Sequence, residues 1–452
     1  MNDNIYIINT KKIYDNNKYF NPSKKYVEGL NINIKSDEEI YDSVRKLFIE
    51  MELDKENIGQ KNWNPLGKFI KEGNNVIIKP NLVTHDNKSM TGTTDSLITN
   101  FSIIRPIIDY CLIALKNTGS IIVGDAPVQE CIFEKVIKIN GLKEGIDIYN
   151  NNKYRVQLID FRKNENKNLK CKIVPVDQYS SFVEIDDFSN KYAITNYDLR
   201  EMRKHHGSGK HEYCIPQYVL DADVIINLPK PKCHRKAGIT SCMKNFVGIN
   251  SKKEYLPHHR NGSIKNNGDE YPEKSLIKLI QSNLKNYTYK KSTMINFLNK
   301  CLHFTEKKLN KARYLEGSWY GNDTIWRTIL DINKIVLYAD KNGILTNQKQ
   351  REIFNVCDMI ISGEKEGPLI PSDKKVGLIV MGQNCLNTDY VICQIMGFNP
   401  DKIKYIKNGY LLKNHIISSN KEFNIYDEKG LADLKKYNKN FIPTDGWIDY
   451  LK

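Results

Sequence analysis

Between residues 229 and 250 the chain reads PKPKCHRKAGITSCMKNFVGIN, which concentrates more reactive side-chain types than any other segment. An apolar run ends at Leu228, and Pro229 and Pro231 force an extended path beyond it. That path carries Lys230, Lys232 and His234 before Gly238, then Thr240, Ser241, Lys244 and Asn245 before Gly248. Two lysines and an imidazole at a strand exit suit anion or metal binding. The same composition also describes a solvated basic loop with a helix N-terminus behind it. Its place after an expected central strand favours a site.

Other segments carry weaker versions of the same chemistry. In YLPHHRNG, His258, His259 and Arg260 precede Gly268-Asp269-Glu270. That set could bind a metal, clamp a sugar or phosphate, or be a surface loop. In GSWYGNDTIWR, aromatic residues sit beside Asn322 and Asp323, either of which is a good N-cap for a following helix. Glu364 and Glu366 in SGEKEGP read as acid, base or magnesium ligand, or as an ordinary acidic turn, and Asp389 is comparable. His205, His206 and His211 in RKHHGSGKHEY are expected in an exposed loop. Ten cysteines are scattered without any CxxC pair, so the chain has neither a zinc-ribbon nor an iron–sulfur cluster motif.

The elements that would position these residues are legible as short Ile/Val runs. Val76 to Lys79, Ser120 to Gly124, Val156 to Asp160, Asp223 to Leu228, Asp358 to Ser362 and Val376 to Met381 predict strands buried on both faces. The apolar stripe over 100–117 predicts a helix between the first two, which makes a right-handed βαβ unit. The first strand leads to Lys79, Pro80 and Asn81, the second to Gly124-Asp125-Ala126-Pro127, and the fourth to His234. In an open parallel sheet these loops meet at one edge. The expected fold is therefore α/β, a parallel Rossmann-like sheet with flanking helices. Residues 1–72 are expected as peripheral decoration, 73–272 as the core domain with the main site, 273–345 as a helical insertion, and 346–452 as a C-terminal α/β segment completing the site.

The 452 residues carry a formal net charge of +15. The lysines are spread along the chain and interleaved with acids, whereas a nucleic-acid footprint would concentrate them. Nucleic acid is thus not the expected partner; a general positive field favours anionic small molecules. No apolar run approaches the ~18–20 residues of a membrane span, and the N-terminus lacks the apolar core of a signal peptide. A cytoplasmic protein with no membrane span is expected.

The runs VIIKPNLV, TTD, GDAP, DADVIINLPKPKCH, KNFVG and GLIVMGQNCLNTDYVICQIMGF, in this order from about residue 75 to 400, resemble domain of unknown function 362. Many members of that family carry an iron–sulfur module, whose motif is missing here. His234, Gly238, Thr240 and Lys244 also resemble, in spacing, the nickel-pincer lactate racemase family. That resemblance implies a general base at His234, a lysine tether for a pincer cofactor at Lys244, and a nickel-ligating histidine at His258 or His259. It departs at Asp125, where those racemases carry a second catalytic histidine.

Together these readings predict a small-molecule enzyme acting on an anionic hydroxy acid or sugar, by epimerisation, racemisation or redox chemistry. His234, Lys244 and Asp125 would be catalytic. Lys79, Asn81, Lys230, Lys232, Thr240, Asn245, Arg260 and Glu364 would contact substrate, and His258 and His259 a divalent metal or nickel pincer. The alternative is a non-catalytic metal- or ligand-binding accessory protein, in cofactor handling or surface-polysaccharide assembly.

Overall fold

A computed structural model describes residues 3–14, 21–30, 32, 37–285, 314, 316–419 and 421–451. Its centre is one twisted sheet. In chain order the strands along it are β1 (Ile5–Asn9), β2 (Asn75–Pro80), β3 (Ser120–Asp125), β4 (Val156–Asp160), β5 (Val224–Leu228), β6 (Glu352–Glu364), β7 (Ser372–Gly382), β8 (Ile425–Asp427) and β9 (Gly430–Leu431). Their spatial order is β9-β8-β1-β7-β6-β5-β2-β3-β4.

From β6 to β4 every neighbouring pair is parallel, with Ile77 opposite Ile122 on one side and Ile225 on the other. Beyond β6 the sheet becomes mixed, because β7 runs antiparallel to both β6 and β1. The expected α/β class with a large, mostly parallel sheet is what the chain adopts. The first segment, expected as decoration, supplies β1 to that sheet. Four of its five residues are buried, and a strand with unpaired edges in reach of β7 gains more by pairing than by lying outside.

Alternation along each strand builds two cores. Ile77, Ile122, Ile225 and Ile353 face one; Val76, Ile78, Ile121, Val123, Val224 and Ile226 face the other. Helices α1 (Glu39–Glu50) and α2 (Phe101–Leu115) cover the second face. Helices α3 (Ile325–Tyr338) and α4 (Cys385–Ile395) cover the first. Burying each Ile or Val fully contributes about 1.5–3 kcal/mol, so both layers are well held.

The Asn100 side chain caps α2 by accepting from the Ser102 N–H, as the expected helix over 100–117 requires. Ahead of α3, Asn322 Oδ1 accepts from the N–H groups of Thr324 and Ile325, each at 3.0 Å. The helical stretch expected from residue 273 begins as Leu276–Lys285; its continuation over 286–313 lies outside the described residues. Among the described residues, no helix is long and apolar enough to cross a membrane.

One feature of the strand order matters for function. From β2 the chain steps to β3 and β4 in one direction, then returns to place β5 and β6 on the other side of β2. The loops leaving β2 and β5 therefore diverge at adjacent carboxyl ends. That opens a crevice at a topological switch point.

Candidate functional site

A cavity of about 710 Å3 occupies that crevice. Its floor begins at the end of β2. Lys79 is buried, with Nζ 2.7 Å from Asp125 Oδ1 and donating to the Pro80 carbonyl at 2.7 Å. Asp125 ends β3 and also accepts from the N–H groups of Leu82 at 2.7 Å and Ala126 at 2.8 Å. Burial pulls the Lys79 ammonium below its ordinary pKa, while Asp125 pulls it up. Gly248 crosses directly above: a Cβ there would lie 2.2 Å from Asp125 Oδ1 and 2.9 Å from Lys79 Nζ. Only glycine permits that approach.

Asn245 fixes the floor to the rest of the sheet. Its Nδ2 donates to the Lys79 carbonyl at 3.1 Å and to Asn227 Oδ1 at 2.8 Å. Asn227 Nδ2 donates in turn to Asn355 Oδ1 at 2.9 Å, and Asn355 Nδ2 to the Gly382 carbonyl at 2.9 Å. This buried chain of amides links β2, β5, β6 and β7, and each donor in it is satisfied, as a buried polar network requires.

His234 ends a short strand, Lys232–His234, that turns back into Gly238–Thr240. Within the turn the N–H groups of Lys236 and Ala237 both donate to His234 Nδ1, at 3.1 Å each. With Nδ1 an acceptor, the ring proton sits on Nε2. Burial, then the neighbouring Lys244, His258, Arg235 and Lys236, holds the imidazole pKa well below its ordinary value. A neutral ring with a donor at Nε2 follows.

His258 has the opposite polarity. Its Nδ1 donates to the Leu256 carbonyl at 2.7 Å, which leaves Nε2 as an acceptor. Burial and the cations Lys236 and Lys244 keep this ring neutral as well. Both histidines line the cavity.

Lys244 projects from a one-turn helix, Cys242–Asn245, whose first N–H groups are held by Asp389 of α4: Cys242 N donates at 2.6 Å and Met243 N at 3.0 Å. Asp389 thus acts as a positioning residue. Burial, followed by repulsion from Lys253, Lys236 and Lys79, pushes the Lys244 amine down to about 7, against the pull of Asp125. Lys253 is pushed down to about 8, chiefly by burial, and donates to the Ala126 carbonyl at 2.6 Å. Two further buried atoms belong to residues of the cavity wall, Asn81 Oδ1 and Thr240 Oγ1, and neither has a hydrogen-bond partner among the described residues.

The cavity therefore gathers Asn81, Asp125, His234, Thr240, Lys244, Asn245 and His258 from the residues singled out by sequence. Lys79 lies just beneath it. The others lie elsewhere. Lys230 is buried with Asp358 Oδ2 at 2.8 Å and donates to the Tyr14 hydroxyl at 2.6 Å; Lys232 donates to the Lys230 carbonyl at 2.9 Å. Arg260 sits 3.6 Å from Asp323, and Glu364 accepts from the Ile442 N–H at 3.0 Å and pairs with Lys374 at 3.1 Å. His259 follows His258 into the short strand His259–Arg260, paired with Tyr192–Ala193, and does not line the cavity.

Lys236, Lys253 and the wall from Ile194 to Tyr197 went unread in the sequence. Lys236 stands two residues after His234 and Lys253 five before His258, and that closeness along the chain is the only signal for either. His206 and His211, expected in an exposed loop, are buried. A ribbon formed by Lys210–Pro216 and His206–Gly207 folds them under Phe182, with their Nδ1 atoms 3.4 Å apart.

Among the described residues, no three His, Cys, Asp or Glu side chains come together as a metal cage. His258 and His259 are divided between the cavity and the strand, and Asp125 is committed to Lys79 and two backbone N–H groups. The side chains present do not fit a metal held by protein ligands alone.

Residues 178–394 match the family model for a domain of unknown function, DUF362. The span takes in His234, Lys244, Lys253, His258 and Asp389 but not Asn81 or Asp125. No curated protein matches the chain.

Proposed function

We propose that this chain, which carries a DUF362 domain over residues 178–394, is an enzyme that moves a proton on an anionic small molecule, a hydroxy acid or an acidic sugar. The observation that carries this reading is the buried Lys244 amine, pushed down to about 7, lining one cavity with two histidines of opposite hydrogen-bonding sense. Perturbed titratable groups converging in one cavity are the usual mark of a catalytic site.

The roles follow from proton positions. Lys253 and the protonated fraction of Lys244 attract the substrate's carboxylate or phosphate. His258 Nε2, an acceptor, takes the proton from the carbon beside a carbonyl or carboxylate. The electron pair of that C–H bond moves toward the substrate oxygen, and His234 Nε2–H donates to the oxygen as charge develops there. A neutral imidazole held as a donor can polarise an oxygen without giving up its own proton. The proton returns from His258 to carbon. Lys244 anchors the substrate, as an ammonium against its anion or as a neutral amine against its carbonyl.

The test is hydrogen exchange. The protein is incubated in deuterated water with a panel of 2-hydroxy acids and phosphorylated sugars, and loss of carbon-bound protons is followed by NMR. Exchange of at least one compound is expected, abolished in Lys244→Ala with the fold retained. Stoichiometric binding without exchange across the panel would overturn the reading in favour of a ligand-binding protein, as would undiminished exchange in Lys244→Ala.

A further inference from the structure

Away from the cavity, one pair of thiols differs from every other described cysteine. We propose that Cys171 and Cys214 form a peroxide-reactive dithiol, a modification site in which Cys171 attacks a hydroperoxide and Cys214 resolves the product.

The placement is set by strand register. Cys171 opens the strand Cys171–Pro175, which pairs antiparallel with Lys210–Pro216 so that Cys171 faces Pro216 and Ile173 faces Cys214. Residues two apart share a face, so both thiols lie on the same side of this ribbon as diagonal neighbours. The Cys171 thiol donates to the Ser251 hydroxyl at 3.4 Å, and the Cys214 and Ser251 side chains favour its deprotonated form. Lys163 and Lys252 add positive potential. These contacts favour the thiolate, the nucleophilic form, and lower the Cys171 pKa. Cys214 is held as a thiol by its neighbour Cys171 and by burial.

Access separates Cys171 from the rest. Among the described cysteines Cys171 alone is partly exposed. The sulfurs of Cys242 and Cys357 lie 3.4 Å apart, but neither is exposed and burial raises the pKa of both, so that pair has no partner open to a peroxide. Proximity without access or charge makes a packed core; Cys171 has all three.

The chemistry balances in two steps. The Cys171 thiolate attacks one oxygen of the hydroperoxide, an S–O bond forms, and the O–O bond breaks to release an alkoxide or hydroxide. The Cys214 thiol then attacks the sulfenic sulfur. The S–S bond forms, the S–O bond breaks, and the departing hydroxide takes the thiol proton as water. Two electrons pass from the sulfurs to the peroxide. The modified strand also holds the chain leading to Lys253, because the Cys214 N–H donates to Asn250 Oδ1 at 2.8 Å and its carbonyl accepts from the Ser251 N–H at 2.7 Å.

The experiment treats the reduced full-length chain with hydrogen peroxide, blocks remaining thiols under denaturing conditions, and maps all ten cysteines by mass spectrometry. Loss of two hydrogens and a linked Cys171–Cys214 peptide are expected. Iodoacetamide should modify Cys171 in the reduced native protein at least roughly tenfold faster than any other cysteine. Cys214→Ser should stop the reaction at a sulfenic acid on Cys171, trapped by a cyclic diketone. A different linked pair, no linked pair, or Cys171 labelling no faster than the buried cysteines would overturn the proposal. The wild-type measurements decide it even where a variant fails to fold.

Discussion

Two buried lysine–aspartate pairs flank the end of β5, and they have different uses. Lys79 and Asp125, 2.7 Å apart, form the floor of the cavity beneath Gly248. Lys230 and Asp358, 2.8 Å apart, are sealed by the Tyr14 hydroxyl, which donates to Asp358, and by the Ile361 carbonyl, which accepts from Lys230 at 3.0 Å. The first pair lies at the point where strand order reverses, so the chain above it must part. The second lies between β5 and β6, and the N-terminal segment covers it. Identical chemistry becomes a site floor in one place and a clamp in the other, according to whether neighbouring loops diverge or close. A basic loop with two destinations is the lesson: Lys230 and Lys232 turn inward, while His234 and Lys244 reach the crevice.

The sharpest way to break this distinction is through the cavity residues. In any exchange assay that yields activity, Lys244→Ala should remove turnover by at least about three orders of magnitude. His258→Gln should cost about 10²–10⁴ in kcat through loss of the base. His234→Phe should cost about 10²–10³ through loss of the oxyanion donor. Melting temperatures should stay close to wild type, and equal losses of stability and activity would show that these groups are structural.

Lys230→Met should do the reverse. Removing one partner of a sealed pair leaves the Asp358 carboxylate uncompensated and should destabilise the fold by about 3–5 kcal/mol in urea unfolding. Activity per folded molecule should be preserved. A large specific loss of activity with normal stability would place Lys230 in the site after all.

Gly248→Ala tests the floor itself. The added methyl must push aside Asp125 or Lys79, which should cost about 1–3 kcal/mol. It should also weaken binding of anionic ligands, read by titration calorimetry with oxalate, because Lys244 stands just before it in the chain. Normal stability would show that the floor yields.

The smallest effect is one of pH. The Lys244 pKa falls from 10.5 to about 7 on folding. Between those values the folded state binds fewer protons than the unfolded chain, so this group's contribution to stability rises with pH across that window and is least favourable below about 7. Chemical denaturation at pH 6 and pH 9 should show a smaller rise in Lys244→Met than in wild type. An unchanged difference would mean that Lys244 is not desolvated.

Much of the scaffold was readable from local pattern. Runs such as Val76 to Lys79 and Val156 to Asp160 predict buried strands; both are strands, but only the first is buried, because Val156–Asp160 lies at the edge of the sheet and Val156 alone in it is buried. The strand exits at Asn81, Asp125 and His234 were expected to converge, and they line one cavity. Lys230 and Lys232 escaped the same reading. A lysine two or four residues before a histidine looks the same in sequence whether it meets water or a carboxylate 128 positions away, as Lys230 meets Asp358. His206 and His211 were misread for a related reason: their polar neighbours are exposed, yet the ribbon turns the imidazoles inward.

His234, Gly238 and Lys244 stand in the sequence as an imidazole, a turn and an amine spaced beyond a strand, and the sequence by itself marked this loop as a candidate site and where it begins. It also determined the α/β class, because strand-length apolar runs alternating with helical stripes have few other ways to bury both faces. What only the tertiary structure decided is the state of those groups. Backbone N–H groups from Lys236 and Ala237 place the His234 proton on Nε2, and the Leu256 carbonyl places the His258 proton on Nδ1. Burial among other cations brings Lys244 down to about 7. Protonation depends on desolvation and on charges within a few ångströms, and those neighbours come from distant parts of the chain.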